Sequence, residues 1–550
     1  INMANTGQLG SDERVKLAGG VASIPGGIVN GMVAPWMING TDVQFLTYTT
    51  DNGFVNAGFD GIRSGALGAT SVPTERTYIN AASTMIGGAG LALDTYALRL
   101  ETGDMTFASG TAAATDRIQV RSGGLMVNGA RTIAPGISFG TAPQEANIFN
   151  NNTLVIGLNA SPTTTGQITN ATHVVKQGAG TLVIDSPQAS FNGNWIVNQG
   201  SIAFRSATVQ SNLGGTASLA QMNLGTNGLV VLNGFGSQLQ LRSDATNTIY
   251  NLGLVIGEGN PYAVLNGDRG PANTGSPLNI MTGGIRFGGS PGEQGQTLFV
   301  NNAANNLSVQ VNGPLVLSAA TMEGAPAYNF IRTDPNLTVY GNVSGGASLV
   351  HTGGGTLELG NGFTGFNNGI NTFTGGIQNV QGTVNVRGTT TGTPANFATL
   401  FSGINHGGVG AGDITMYSGT LNLLIDGANT TTRERYVVGN NAAGNNLIIN
   451  GSSTVTVNRN IAGTAANKHL AFKDLTIGSS TLTTAIGNTY VLEINGVTNL
   501  TGIPLLNIGG ATLLNGAIND GAGAVAVTQG QAIIKGGGAD LWLNGTTSTF

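Results

Sequence analysis

The chain has 550 residues, with 89 glycines, no cysteine, 9% charged residues and a net charge of −5. Charge this far below the usual level of about 25% excludes ordinary helices laced with Glu–Lys pairs, and 40% hydrophobic residues disfavour a disordered chain. Without a Lys/Arg cluster, nucleic acid is not an expected partner, and no apolar run is long enough for a membrane-spanning helix.

Residues 1–95 are the least repetitive part and form the first of four predicted segments. Short strands and corners are expected here, with a turn at Asn52-Gly53 before Phe54. The stretch from Ala81 to Gly103 predicts one or two helical turns.

Residues 96–204 read as strand, turn, strand, and end in a motif that begins at residue 174 with VVKQGAGTLVI. Its apolar residues fall two apart, which is the period of a strand with one buried face. Glycine stands where the chain must turn, and a loop opens at a phenylalanine. The motif residues are Gly178, Gly180, Thr181, Leu182, Ile184, Phe191 and Gly200.

The motif returns twice, so the chain contains a long internal repeat. Residues 205–386 end in a second copy, and residues 387–550 end in a third copy that stops early. In the second copy the motif residues are Gly353, Gly355, Thr356, Leu357, Leu359, Phe373, Gly375 and Gly382. In the third they are Gly537, Leu541, Leu543 and Phe550.

Two positions of the motif vary in a way that predicts exposure. The residues between the alternating apolar positions are Val183, Glu358 and Trp542. The residues that follow an apolar Val or Ile before the corner are Lys176, His351 and Lys535. Both sets are predicted to point outward, the second into solvent.

One apolar line cannot be buried by a single copy, but stacked copies bury a continuous column. The sequence therefore predicts an all-β solenoid that is continuous through the four segments. Rungs of roughly 20–25 residues, stacked about 4.8 Å apart, predict some two dozen turns and a rod on the order of 100 Å long.

The motif resembles the autotransporter-associated β-strand repeat, a family of bacterial surface proteins. The second copy fits the family pattern well, the first departs from it at Asn192 and Asn194, and the third is cut short. The N-terminal stretch VAPWMINGTDVQFLTYTTDNGF also looks like a segment of such proteins. The resemblance implies a right-handed parallel β-helix exported to the surface of a Gram-negative-type bacterium, without shared catalytic residues.

No motif assigns a catalytic residue, a cofactor or a metal. His173, His351, His406 and His469 form none of the spacings of a zinc site, and only a fragment of a calcium-binding nonapeptide occurs at 536–540. The pairs Asp51/Asp60 and Glu101/Asp104 are interpreted as loop residues. The acids considered are scattered: Asp51, Asp60, Asp94, Glu101, Asp104, Asp116, Asp268, Glu293, Asp413, Asp426 and Asp474.

Two residues near the C-terminal end raise the question of partners. Trp542 offers a ring for stacking on a sugar, although packing under a loop or against another molecule is favoured. The third copy halts at Phe550 without a cap, and a bare solenoid end exposes strand edges. Either more rungs follow in the native polypeptide, or this end docks onto another subunit.

These patterns predict a non-enzymatic, extracellular structural protein, a rigid surface passenger or fibre segment for adhesion or self-assembly. The expected partners are other copies of the chain, end to end or side by side, and cell-surface or matrix glycans. The alternative is a β-helix protein that degrades or binds polysaccharide, in which acids would cluster on one face. A phage or virus fibre is a third interpretation, and it would require a trimer.

Overall fold

The computed structural model divides the chain into two compact units, Ile1–Leu254 with Asp268–Asn279 (unit 1) and Val255–Gly267 with Ile280–Phe550 (unit 2). The residues that it describes are 14–68, 70–85, 93–107, 117–157, 166–206, 220–222, 224, 228–243, 247–269, 277–289, 295–301, 307–318, 321–322, 325–360, 371–388, 404–406, 409–426, 433–439, 444–459, 466–519 and 532–545.

Nearly all the regular structure in these ranges is β-strand. Their single helix is a short 3-10 helix, Gly20–Ser23, so within the described residues no helix is long and apolar enough to cross a membrane. The fold is therefore all-β, as the alternation predicts.

The first 25 strands run from the N-terminal region to the segments where the two units meet in sequence. They are β1 (Ile38–Asn39), β2 (Gln44–Thr49), β3 (Gly53–Asn56), β4 (Gly61–Leu67), β5 (Thr70–Met85), β6 (Leu93–Leu100), β7 (Met105–Phe107), β8 (Arg117–Val120), β9 (Gly124–Val127), β10 (Arg131–Ile133), β11 (Gly136–Phe139), β12 (Gln144–Asn150), β13 (Leu154–Ile156), β14 (Ile168–Thr169), β15 (Ala171–Gln177), β16 (Thr181–Ile184), β17 (Asn194–Val197), β18 (Ser201–Ser206), β19 (Ala220–Met222), β20 (Leu229–Leu232), β21 (Gln238–Ser243), β22 (Thr248–Tyr250), β23 (Gly253–Ile256), β24 (Tyr262–Asp268) and β25 (Asn279–Met281).

The remaining strands belong to unit 2. They are β26 (Ile285–Phe287), β27 (Thr297–Asn301), β28 (Val309–Val311), β29 (Leu315–Val316), β30 (Thr321–Met322), β31 (Ala325–Pro326), β32 (Tyr328–Thr333), β33 (Leu337–Val339), β34 (Val343–Ser344), β35 (Ser348–Thr352), β36 (Thr356–Leu359), β37 (Ile377–Asn379), β38 (Thr383–Arg387), β39 (Ile404–His406), β40 (Ile414–Met416), β41 (Thr420–Leu424), β42 (Glu434–Val438), β43 (Leu447–Ile449), β44 (Ser453–Asn458), β45 (Lys468–Phe472), β46 (Leu475–Ile477), β47 (Thr481–Ile486), β48 (Val491–Ile494), β49 (Thr498–Leu500), β50 (Leu505–Ile508), β51 (Thr512–Leu514), β52 (Ile518–Asn519), β53 (Ile534–Gly536) and β54 (Leu541–Leu543).

Unit 1 is built mainly from parallel ladders, in which each strand pairs with strands from the previous and the next rung. One ladder contains β6, β9, β12, β15, β17 and β20. A second contains β4, β5, β7, β10, β13, β16, β18 and β21. The helical turns expected between Ala81 and Gly103 are wrong, because Leu98 and Leu100 are paired strand residues with no exposed surface.

A small antiparallel sheet, β1–β3, covers the outer side of the first ladder of unit 1. Phe45 of this sheet packs with Met126 and Phe149 of the ladder in one buried cluster. The predicted turn before Phe54 is confirmed, since Gly53 closes the hairpin with a positive φ of 74°. The ladder therefore has apolar residues on both of its sides.

Unit 2 repeats a rung of three strands. Ladder 1 contains β24, β27, β32, β35, β37, β40, β43, β46, β49 and β52. Ladder 2 contains β28, β33, β36, β38, β41, β44, β47, β50 and β53. Ladder 3 contains β39, β42, β45, β48, β51 and β54. From β42 onward the chain visits ladders 3, 1 and 2 in turn.

Earlier strands of unit 2 vary this plan. In these earlier rungs, the strand that precedes ladder 1 in the chain belongs to a short parallel ladder of β26, β29 and β34 and not to ladder 3. In addition, β30 and β31 form an antiparallel pair. Since almost every other pairing is parallel and joins successive rungs, the arrangement fits a parallel β-solenoid.

The rungs are longer and less uniform than predicted. Paired residues of parallel strands lie as close as 16 positions apart, at Gly61 and Thr77, and as far as 37 apart, at Val384 and Leu421. Most of the strands themselves stay short, so the additional residues lie between strands. In the described residues the longest ladders have eight strands in unit 1 and ten in unit 2, fewer than the two dozen turns predicted.

Candidate functional site

The apolar motif residues of the first two copies lie in the interior. Leu182 and Ile184 have no exposed surface, and neither do Leu357 and Leu359. The loop phenylalanines are buried as well, Phe191 at 2% exposure and Phe373 at 0%. The inward direction that the alternation predicts for these residues is therefore the one observed.

The motif glycines serve two geometric needs at the corners. At Gly353 the backbone has a positive φ of 92°, which side chains with a Cβ rarely adopt; the same holds for Gly178, Gly200, Gly382 and Gly537. At Gly355 a Cβ would lie 2.2 Å from the carbonyl oxygen of Pro335 in the previous rung. Gly180 and Gly375 meet the backbone of the previous rung as closely.

The third copy differs from the expectation. Leu541 and Leu543 align with the buried Thr512 and Leu514 of β51, but Leu543 is 51% exposed and Leu541 partly exposed. The prediction that they are buried is wrong because β54 has a paired neighbour on one side only among the described residues. Phe550 lies outside the described residues.

The third copy also occupies different ladders from the second. Strands β35 and β36 of the second copy lie in ladders 1 and 2, whereas β53 and β54 of the third lie in ladders 2 and 3. The same motif therefore builds different corners of the rung.

Lys176 and His351 are buried, and the prediction that they face solvent is wrong. Both have no exposed surface. Lys176 stands in register between Ile148 and Val197, and His351 between Ile331 and Asn379. Their side chains occupy the inward column, so the strand is one residue out of phase with the prediction, which reverses the faces.

The ammonium group of Lys176 closes the corner from inside. Its Nζ donates to the carbonyl oxygens of Gln177 at 2.9 Å and Gln199 at 3.0 Å, and also to that of Gly178. Burial without a carboxylate partner lowers the pKa of Lys176 to about 7. In the third copy, Lys535 makes the equivalent contact with Gly537 at 3.0 Å, on an exposed corner as predicted.

His351 belongs to a buried polar column. Its Nδ1 donates to Oδ1 of Asn379 at 2.9 Å, and Thr333 donates its hydroxyl to Nε2 at 2.8 Å. Desolvation lowers the pKa of His351, with the Asn379 bond opposing it. The imidazole is thus held neutral, as a structural group.

The outward positions differ in exposure. Trp542 is 45% exposed and Glu358 is partly exposed, with its Oε1 2.8 Å from Nε of Arg387. Val183 is only 4% exposed, between Val155 and Ala203 of the adjacent strands. For Val183, the prediction of an exposed position is wrong.

Two acidic residues of unit 1, Asp60 and Asp94, are each bound to an arginine. Arg121 makes two 2.7 Å hydrogen bonds to Asp94, and Arg76 does the same with Asp60, at 2.7 and 3.0 Å. These bonds lower the pKa values of both carboxyl groups. A general acid needs a raised pKa, so neither carboxyl is suited to that role.

Two further carboxyl groups singled out from the sequence, those of Glu101 and Asp104, also have partners. Glu101 pairs with Arg99 in and beside β6, and Oδ1 of Asp104 accepts the backbone N–H of Thr132 at 2.8 Å. The interpretation of Asp51, Asp60, Glu101 and Asp104 as loop residues is confirmed, since all four lie outside the strands. Asp116 and Glu293 lie outside the described residues.

An ionic cluster in ladder 3 was not predicted. Glu434 and Lys468 are aligned neighbours, 3.0 Å apart and fully enclosed, and Tyr436 donates to Glu434. On the other side of these strands, His469 lies 3.2 Å from Glu493. The only sequence signal was two charged stretches, RER and KH, one rung apart.

Four aromatic rings and an arginine lie together on the outer side of ladder 1, and we call this set the aromatic patch: Tyr262, Phe299, Tyr328, Phe330 and Arg332. The rings of Tyr262 and Phe299 are 6.2 Å apart, and those of Tyr328 and Phe330 are 6.3 Å apart. The guanidinium of Arg332 lies 4.6 Å from the ring of Phe299. The alternation in YNFIR was the signal for it in the sequence.

Ladder 2 carries a column of aligned threonines on its outer side, which we call the threonine column: Thr356, Thr383, Thr420, Thr454 and Thr483. All are partly exposed. A second column beside it includes Asn385 and Asn422, whose side chains are joined by a 2.7 Å hydrogen bond. The face is thus polar and regular, with few charges.

Among the described residues, no three His, Asp or Glu side chains converge as a metal site would require; the side chain of His406 is not among those described. No family model, no curated protein and no solved structure matches the chain.

Proposed function

We propose that the chain is a segment of a non-enzymatic extracellular protein, a stiff β-helical support on a bacterial cell surface that mediates adhesion or self-assembly. The observation that carries this proposal is the repeating three-strand rung of unit 2. Each strand of a rung pairs in parallel with the strands of neighbouring rungs, so the rungs stack continuously. The motif resemblance to autotransporter-associated repeats supports export to the surface. We assign to the fold the right-handed form of that family and an extended shape.

Stiffness follows from the way successive rungs are joined. Leu357, Val384, Leu421 and Val455 follow one another in register in ladder 2, each without exposed surface. Every rung adds backbone hydrogen bonds and buried aliphatic surface to its neighbours, at about 25 cal/mol per Å² of apolar area. A stack built in this way resists bending because any bend must separate such contacts.

The regular outer faces support a multivalent mode of contact. The threonine column repeats hydroxyl groups at the strand spacing of about 4.8 Å. Another copy of the chain presents the same spacing and can align with it, and glycans can bond to hydroxyl and amide groups. Many weak contacts along one face add up to a strong attachment.

An enzymatic role receives less support from the geometry. Polysaccharide-cleaving enzymes use a pair of carboxyl groups, one of them a proton donor. In unit 1, Asp60 and Asp94 are each held by an arginine that lowers the carboxyl pKa. We therefore propose binding and support without bond cleavage.

Electron microscopy of the purified chain, together with an assay for new reducing ends on a polysaccharide panel, tests this proposal. Stiff elongated particles that associate side by side or end to end, with no reducing ends formed, are expected. Compact particles would contradict the structural role, and steady release of reducing ends would establish an enzyme instead.

A further inference from the structure

The aromatic patch is open on the outer side of ladder 1. In β32 the residues alternate between the interior, where Ile331 has no exposed surface, and the outside, where Tyr328 is 39% exposed. The side chain of Arg332 is 52% exposed. Aromatic residues make up only 6% of the chain, so four rings on three adjacent strands are a marked concentration, and exposed apolar patches commonly mark binding sites.

Unit 1 offers a contrast for the same combination of groups. There, Phe59 and Tyr78 stack 5.2 Å apart with Arg99 over both rings. Arg99 is only 7% exposed, and Phe59 packs against the cluster that the N-terminal sheet forms. That set is part of the packing, whereas the aromatic patch has exposed members.

The chemistry of the patch suits a sugar chain. Pyranose rings with equatorial linkages present apolar C–H faces, which stack on the negative face of an aromatic ring. Two ring pairs lie side by side along the ladder, and the strand step of about 4.8 Å is comparable to the length of one sugar ring.

Polar groups at the edge of the patch match sugar hydroxyls. Nε of Arg332 lies 3.3 Å from Oδ1 of Asp334, so donors and acceptors stand together. The hydroxyl-bearing residue Thr297 aligns with Phe330 and is partly exposed. Because the charged pair is balanced and the chain carries a net charge of −5, a neutral ligand fits better than a polyanion.

We propose that the aromatic patch is a binding subsite for a neutral, β-linked polysaccharide. The proposal rests on the proposed function and names the class of ligand that adhesion uses. The exposed ring of Tyr328 supplies a stacking platform, the neighbouring rings extend its apolar surface, and the Arg332–Asp334 pair orients the chain through its hydroxyl groups.

Affinity electrophoresis in native gels that contain hydroxyethyl cellulose tests this subsite directly. The wild-type protein should be retarded, and Tyr328→Ala should weaken binding about tenfold, the effect of losing one stacking partner. Phe299→Leu should weaken it as well, while keeping an apolar side chain in place. Tyr417→Ala is the matched control, since Tyr417 is 44% exposed elsewhere in unit 2, and it should bind like the wild type.

Several results would overturn the subsite. The subsite is refuted if the wild-type protein is not retarded in gels that contain hydroxyethyl cellulose, or if the patch variants bind the glucan as tightly as Tyr417→Ala does. It is also refuted if the protein is retained on single-stranded oligo(dT) and not by the glucan. If sedimentation shows that self-association is lost in the patch variants, the patch is a contact between copies and the subsite is refuted. Thermal unfolding of each variant guards against misfolding, and if Tyr328→Ala is destabilised, Phe299→Leu decides.

This experiment separates the subsite from the proposed function. Patch variants that bind normally, in a protein that still forms stiff particles and releases no reducing ends, refute the subsite alone. Patch-dependent binding together with release of reducing ends supports the subsite and refutes the non-enzymatic role.

Discussion

Lys176 and His351 show how a single residue can reverse the expected face of a strand. Each follows two apolar residues, Val174 and Val175 in one case and Leu349 and Val350 in the other. The alternation therefore has two possible phases, and polarity alone favours the wrong one. The backbone carbonyls of the corner determine the phase of the Lys176 strand, because they supply acceptors that a buried Lys176 ammonium group can reach.

Replacement of Lys176 by methionine should change how stability depends on pH. The pKa is 10.5 in the unfolded chain and about 7 in the folded one, so the unfolded chain binds the additional proton between these values. The free energy of unfolding should therefore rise with pH by up to about 1.4 kcal/mol per unit. Urea unfolding from pH 7 to 10 should show this rise in the wild type and not in Lys176→Met.

The control for this measurement is Lys535→Met, which alters the exposed lysine of the equivalent corner. It should leave the pH dependence of the wild type unchanged. An equally steep rise in Lys176→Met would mean that Lys176 does not lose its proton in the folded state.

His351 should produce an acid-sensitive stability. Its pKa is lowered by burial from 6.5, so below about pH 6.5 the unfolded chain binds a proton that the folded chain resists. The free energy of unfolding should fall between pH 7 and 5, and His351→Gln should reduce this fall. Thermal unfolding at both pH values measures it, with the partly buried His173→Gln as the control. Identical pH profiles for wild type and His351→Gln would contradict the prediction.

At the scale of the element, the strand–corner–strand unit was predictable and its placement was not. Glycine at the corner and apolar residues two apart define the unit in any ladder. Because the unit has the same inward and outward sides everywhere, the sequence does not say which ladder a copy joins. This is why the third copy, at β53 and β54, aligns in sequence with the second but lies one ladder further on.

Gly353→Ala tests the corner. The new methyl group would lie 2.3 Å from the carbonyl oxygen of Thr333, and this clash and the positive φ should together cost about 1–3 kcal/mol of unfolding free energy. Gly354→Ala is the neighbouring control, because a Cβ there meets nothing within 4 Å. Equal stabilities of the two variants in urea unfolding would show that the corner does not require this conformation.

At the scale of the molecule, parallel pairing between rungs was predictable, whereas the side-chain clusters were not. Rung length varies from 16 to 37 residues, so the spacing in sequence does not reveal which residues align. Glu434 and Lys468 meet because their rung is 34 residues long, and the aromatic patch assembles from three strands in the same way. The amino-acid composition predicts neither the Glu434–Lys468 pair nor the aromatic patch.

Each strand pairs with neighbouring rungs, so damage to the interior should stay local. Leu357→Ala should cost about 2–5 kcal/mol and raise amide hydrogen exchange in the adjacent strands β33 and β38, with little change in unit 1. Leu182→Ala should raise exchange in β13 and β18 and spare unit 2. Hydrogen exchange read by mass spectrometry measures both, and a uniform increase across the chain for either variant would contradict this.

The placement of the third copy has a consequence for how such a chain can lengthen. A duplicated stretch of gene need not encode a whole turn in order to be accommodated. A strand, its glycine corner and the next strand suffice, because the added copy can pair with whichever two ladders come next in the rung. Growth in fractions of a turn would leave repeats that are recognisable in sequence yet spaced at unequal intervals, such as the 175 and 184 residues between Val175, Val350 and Ile534.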